Sequence, residues 1–250
     1  MQKGIIIFLT IIFLTACTTE PVPEENLEER ELAVEVASFQ TVDRVTIMGT
    51  YWPGGPTAVL LLHMMPATKE SWEPFAELLA KEGFTVFAID LRGHGESTLK
   101  DGESIDYREF SDEDHQASIH DVETAVKYLQ EKGATTVYII GASIGANLAL
   151  WYQAEHPEVK KTVLLSAGTN YRGIETIPLA AKVQDDQQIY FVAGTFDGSG
   201  ESSSENMAKQ IMGNVTGEAE LKVFASTAHG TDLFTEYPEL LHDLVAWLKG

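Results

Sequence analysis

Cysteine is almost missing from this chain of 250 residues: there is one, Cys17. No disulfide can close within the chain, and a metal site built from several thiolates is excluded. Basic residues are scarce too, with 17 Lys and Arg against 38 Asp and Glu, which gives a net charge of -21. Such a surface repels phosphate backbones, so no nucleic-acid partner is expected, and no polybasic attraction to anionic lipid. Repeats of about 20–50 residues are absent, and no second domain stands out. What remains is a single-domain length with 44% hydrophobic residues, ample for a well-buried core. Nothing in the pattern specifies an oligomeric state.

The N-terminus is organised differently from the rest. "MQKGIIIFLTIIFLTAC" carries one positive charge at Lys3, an apolar stretch from Ile5 to Leu14, and small residues before Cys17. This is the layout of a secretory signal, and the apolar stretch is short for a bilayer span. "LTAC" resembles a bacterial lipobox, which implies a lipoprotein signal peptide over 1–16 and a lipidated Cys17 as first mature residue. An ordinary signal peptide or an uncleaved anchor is the alternative. Residues 17–31 form an acidic, Pro-containing stretch with few apolar side chains, expected to be a tether, and the folded domain is expected over 32–250. The implied location is across the cytoplasmic membrane, held there by lipid. In a Gram-negative cell this means the outer membrane or the periplasmic face, with Thr18 in place of the retention aspartate favouring the former. In other cells it means the cell surface.

From Leu32 to Gly54, alternation around "AVEVASF" and "DRVTIMGTYW" predicts a two-stranded hairpin. Strands and helices then take turns. "TAVLLLH" (57–63), "FTVFAID" (84–90), "TTVYIIGA" (135–142), "KTVLLSAG" (161–168), "QIYFVAG" (188–194) and "LKVFASTA" (221–228) read as strands. Between them, "SWEPFAELLAKEG" (71–83), "DEDHQASIHDVETAVKYLQEKG" (112–133), "IGANLALWYQAEH" (144–156) and "SENMAKQIM" (204–212) read as helices, and "TDLFTEYPELLHDLVAWLKG" (231–250) closes the chain as another. Continuous apolar strands separated by amphipathic helices predict a mostly parallel α/β sheet covered on both faces. Ligands bind such sheets beyond the carboxyl ends of the strands, so chemistry is sought just after each strand.

Gly141-Ala142-Ser143-Ile144-Gly145 lies between a strand and a helix, the context in which G-x-S-x-G forms a sharp nucleophile elbow. A serine hydroxyl needs a base, and the base needs a carboxylate to orient it. Among the histidines after Ser143, His156 ends the elbow helix and His242 falls inside the last helix, both suited to the surface. His229, in "TAHGT" just after a strand, is the expected base. Asp197, in "GTFDG" after the preceding strand, is the expected acid, whereas Asp185 and Asp186 precede that strand and fall at the opposite sheet edge. The alternative for Asp197 is a turn-forming Asp-Gly.

With these residues in place, the chain from about Val45 to Gly250 resembles the serine hydrolases of the α/β-hydrolase fold, and is similar to the compact dienelactone-hydrolase-like esterases and lipases. "DLRGHGES" (90–97) resembles a signature of that family, in which Arg92 and His94 organise loops; a direct catalytic role for His94 is the alternative. Dienelactone hydrolase itself carries a cysteine nucleophile, so Ser143 favours ordinary ester chemistry. About 20 residues separate Gly168 from Gln188. That is too few for the separate helical cap of many relatives, and a small flap over Thr169–Leu179 is expected instead.

The resemblance implies Ser143, Asp197 and His229 as a catalytic triad, acting through an acyl-enzyme without cofactor or metal on small to medium carboxylic esters. It implies two backbone N–H donors for the oxyanion, Ile144 and one from "HMMP" (63–66). Fold relatives carry His-Gly-x there, and the x position makes Met65 the donor; because Met64 replaces the glycine, Met64 is the alternative. Both thioethers are expected to line the substrate pocket, and His63 to brace the loop. A copper site on His63, Met64 and Met65 lacks further soft ligands nearby. A serine peptidase and an acyltransferase on the same fold remain competing functions. A non-catalytic binding lipoprotein is a third.

Overall fold

A computed structural model describes Met1 and residues 33–250. The remainder of the expected signal peptide, Cys17 and the tether lie outside the described residues. The predicted hairpin is β1 (Glu35–Gln40) against β2 (Val45–Trp52), antiparallel. The alternation then follows: β3 (Thr57–Leu62), α1 (Glu73–Lys81), β4 (Thr85–Ile89), two short strands β5 (Leu99–Lys100) and β6 (Glu103–Ser104), α2 (Asp112–Gln116), α3 (Ile119–Glu131), β7 (Thr136–Ala142), α4 (Ile144–Glu155) and β8 (Lys161–Leu165). A second hairpin, β9 (Asn170–Tyr171) and β10 (Ile174–Glu175), precedes α5 (Thr176–Ala180). β11 (Gln188–Gly194), α6 (Ser204–Met212), β12 (Glu218–Phe224), α7 (Leu233–Glu236) and α8 (Glu239–Lys249) complete the chain.

The main sheet runs β12-β11-β8-β7-β3-β4-β2, with β1 and β5-β6 beside β2. Every pair from β12 to β4 is parallel, and β2 is antiparallel to β4. Side chains alternate across the sheet and seed two cores. On β3, Ala58, Leu60 and Leu62 face one core with α3, α4 and α6, while Val59 and Leu61 face the other with α1 and α8. Each such leucine, wholly removed from water, contributes about 1.5–3 kcal/mol before entropy is charged. This is the α/β-hydrolase architecture, a mostly parallel sheet flanked by helices. Between β8 and β11 it carries one hairpin and a five-residue helix.

Most elements keep within three residues of their expected bounds, and three depart in a way that has a clear cause. The helix expected over 112–133 is two: at the junction the N–H groups of Ser118, His120 and Asp121 bond three residues back, tightening the chain, and Asp121 turns inward to Arg92. Pro238 likewise divides the closing helix. β12 starts at Glu218 and leaves the sheet at Phe224, because the carbonyls beyond it are taken by the loop after β11, with Phe196 N–H donating to the Ser226 carbonyl at 2.9 Å. Among the described residues, no helix is long and apolar enough to cross a membrane.

Candidate active site

The elbow is built from backbone contact. Ser143 has φ 53° and ψ -117°, a region that non-glycine residues enter at a cost of about 1–3 kcal/mol. It is held there by its N–H, which donates to the Leu165 carbonyl on β8 at 2.8 Å, and by its carbonyl, which accepts from Ala146 and Asn147 at the start of α4. Both motif glycines are spatial necessities. A Cβ on Gly141 would lie 2.1 Å from the Gly145 carbonyl oxygen, and one on Gly145 would lie 2.3 Å from that of Leu62. The turn thus presses the start of α4 onto the end of β3. Ile144 opens α4, so its N–H has no acceptor within the helix.

Beyond β3, His63 is fully buried and braces the loop. Its Nδ1 donates to the Met64 carbonyl at 2.9 Å, and its Nε2 accepts from the Leu91 N–H at 2.9 Å. Burial holds the ring neutral, with its pKa lowered to about 4. Among the described residues, neither the Met64 nor the Met65 N–H donates to a protein acceptor, so both remain free for an oxyanion. Met64 takes no positive φ, and the loop accommodates the Cβ that a glycine would lack; the Met65-Pro66 peptide is cis. The two methionines part company in their side chains. Met64 is buried, with its sulfur 4.0 Å from the Thr231 hydroxyl and beneath Gly230. It supports the loop that carries His229. Met65 is half-buried, against the core of α3 and α4.

His229 and Asp197, 32 residues apart in the chain, meet at 2.8 Å through Nδ1 and Oδ2. The remaining ring nitrogen, Nε2, makes no hydrogen bond among the described residues, and the side chain is about one-third exposed. Asp197 follows β11, and its carbonyl accepts from the Ser204 N–H opening α6. The residue after His229, Gly230, has φ +54° and donates to the Ser166 hydroxyl at 2.9 Å. Ser166, fully buried with φ 50°, directly follows β8 and ties the histidine loop to the strand beside the elbow. Ser143, Asp197 and His229 therefore all stand beyond the carboxyl ends of their strands, β7, β11 and β12.

The other titratable candidates are placed elsewhere. His156 caps α4, stacked on Tyr152, and His242 is exposed on α8. Asp186 pairs with Lys160 at the far edge, next to exposed Asp185. In "DLRGHGES", Asp90, Arg92 and His94 are buried and organise the loops around them. Asp90 accepts from the Lys69 N–H and ammonium and from the Glu96 N–H, Arg92 forks onto Asp121 and Asp43, and the His94 ring stacks on Tyr107 with Nδ1 on the Arg92 carbonyl. Among the described residues, no group of three His, Cys, Asp or Glu side chains could hold a metal ion.

Tyr171, Asn147 and Ser166 were not evident from the sequence as parts of this site. The β9–β10 turn had a local signal, Arg172-Gly173, both with positive φ as a type I′ hairpin demands. Asn147 and Ser166 had none, since their roles depend on which strand lies beside which. A depression of about 300 Å³ bordered by Trp151, Ile174, Pro178 and Leu179 touches none of the three expected catalytic residues.

Residues 57–215 match the family described as the alpha/beta hydrolase fold, and the chain belongs to that family. It is 30% identical over 124 residues to a thermostable monoacylglycerol lipase of a Bacillus species, a match spanning 50% of this chain and 46% of that protein. It is 37% identical over 131 residues to a bifunctional esterase/perhydrolase of Acinetobacter calcoaceticus, spanning 51% and 43% of the two. The matches thus span less than half the length of these relatives. An esterase of Pyrococcus furiosus superposes with a TM-score of 0.70 at 19% identity, over 87% of this chain and 92% of its own, which extends the shared fold to nearly the whole described domain.

Proposed function

We propose that the chain is a serine hydrolase of small to medium carboxylic esters, working through an acyl-enzyme. The observation that carries this reading is the His229–Asp197 hydrogen bond at the sheet edge where Ser143 is held in its strained elbow. In the first step His229 Nε2 takes the Ser143 proton as the oxygen attacks the ester carbonyl, while Asp197 stabilises the imidazolium. The oxyanion is received by the N–H of Ile144 and that of Met65 or Met64, and losing one such donor costs about 3 kcal/mol of barrier. The alcohol leaves with the proton from His229. Water then repeats the sequence on the acyl-enzyme, releasing the acid.

The relatives' names support ester substrates, but the same chemistry serves a peptidase or, with an alcohol in place of water, an acyltransferase. The lipid anchor inferred at Cys17 would hold the enzyme at a membrane surface outside the cytoplasm. A panel of p-nitrophenyl esters from acetate to laurate, run beside peptide p-nitroanilides, tests the reading. Turnover highest among the short and medium esters and absent with the peptides supports it; peptide turnover at a comparable kcat/KM replaces it with the peptidase.

A further inference from the structure

The β9–β10 hairpin is fixed to α4, the helix that the elbow opens. Asn147, one turn into α4 and fully buried, accepts from the Gly168 N–H and donates to the Ile174 carbonyl, both at 3.1 Å, on either side of the hairpin. Thr176 adds a bond from its hydroxyl to the Gly168 carbonyl at 2.8 Å. At the inner end the Tyr171 ring lies against Gly168, where a Cβ would sit 2.5 Å from the ring. Its phenol stands beside Ser143 and donates a long bond, 3.4 Å, to the carbonyl of Ser166, the residue whose hydroxyl accepts from the Gly230 N–H next to His229. That bond is near the outer limit for O–H donors, so little is lost when the O–H turns to a better acceptor. Burial, with the Asp197 charge adding to it, pushes the phenol pKa up to about 12, so the group keeps its proton.

Strand order decides what such a donor faces. The oxyanion loop approaches Ser143 from β3, while Tyr171, Asp197 and His229 approach from β8, β11 and β12 on the other side. An ester whose carbonyl oxygen turns towards β3 presents its alcohol oxygen towards β8. We propose that Tyr171 is a catalytic hydrogen-bond donor to the departing alcohol oxygen, an inference that rests on the ester-hydrolase reading. As Ser143 Oγ bonds to the acyl carbon, the bond from that carbon to the alcohol oxygen breaks and its electron pair stays on the oxygen. The proton that neutralises it is the one His229 took from Ser143. Tyr171 shares its own proton during the transfer and keeps it.

A donor to the leaving oxygen matters most when the alcohol is a poor leaving group. Two esters of one acid, ethyl butanoate and p-nitrophenyl butanoate, are therefore compared by kcat/KM, which reports acylation. For Tyr171→Phe, the ethyl ester falls about tenfold and the p-nitrophenyl ester about twofold or less. Gly168→Ala, which displaces the ring but leaves the hydroxyl, gives the same leaving-group-dependent loss and serves if Tyr171→Phe does not fold. Equal losses on both esters would assign Tyr171 a merely structural role, and an undiminished ethyl-ester rate would remove it from the site. If the unmodified enzyme turns over neither ester, the ester-hydrolase reading itself falls, and this proposal with it.

Discussion

Gly145 packs backbone to backbone against Leu62: a Cβ on the glycine would lie 2.3 Å from the leucine carbonyl oxygen. This contact sets the spacing between the two loops proposed to supply the oxyanion donors. Gly145→Ala must therefore pry the start of α4 from β3. The expected result is a loss of about 10²-fold in kcat/KM, the effect of removing one donor. Overpacking adds a stability loss of about 1–3 kcal/mol, measured by urea denaturation.

Asp197→Asn keeps the size of the side chain but reverses one hydrogen-bonding group against His229 Nδ1. The imidazole then takes the wrong tautomer, and kcat falls by about 10³–10⁴-fold. Thermal denaturation should change by a few degrees at most, because the acid lies at the edge of the site. Steady-state kinetics alongside a melting curve separate this from unfolding.

Much of the fold was legible because apolar runs and helical spacing are local signals. β11 and α6 run as the sequence reads, residue for residue. The elbow at Ser143 and the Asp197–His229 pair each carry their signal within five residues or follow a strand end, so the topology rule pointed to the edge of the sheet where the three stand. Asn147 and Tyr171 escaped because a buried asparagine in an apolar helix and a tyrosine in a short hairpin acquire meaning only once β8 is seen beside β7. Met64 was expected on the substrate wall. The structure places its thioether under Gly230 and Thr231, a contact spanning 167 positions of the chain that no local pattern encodes.

Met64→Ala opens a cavity beneath the His229 loop. Large-to-small changes of this kind cost about 2–5 kcal/mol, and the loop that loses its support carries His229, the proposed base. Both stability and kcat should fall, whereas Met65→Ala, at a half-buried position, should chiefly raise KM. A parallel measurement of urea midpoints and kinetic constants for the two variants checks the division.

Asn147→Ala leaves the Gly168 N–H and the Ile174 carbonyl without their partner. Two buried backbone groups left unsatisfied cost about 2–6 kcal/mol together. Urea denaturation measures the loss.

His63 uses Nδ1 as donor and Nε2 as acceptor, an arrangement available only to the neutral ring. Burial lowers its pKa to about 4, and burial with the adjacent His63 does the same for His94. In the unfolded chain both return to an ordinary value of about 6.5 and bind protons that the folded chain refuses. Their contribution to stability is complete above pH 6.5 or so and drains as the pH falls towards 4, at up to about 1.4 kcal/mol per pH unit for each ring. The rings are 4.9 Å apart, so the two titrations belong to the pair. Urea denaturation from pH 7 to 4.5 should show stability falling through this window, and His63→Gln should flatten the slope.

The proposed hydrolysis requires Ser143 as a nucleophile activated by His229. Treatment with a fluorophosphonate, followed by peptide mapping in a mass spectrometer, tests this directly. The prediction is one phosphonate per chain, on Ser143, with ester turnover lost in proportion and labelling abolished in Ser143→Ala and severely slowed in His229→Ala. A label on another residue, or ester hydrolysis undiminished in Ser143→Ala, would contradict it.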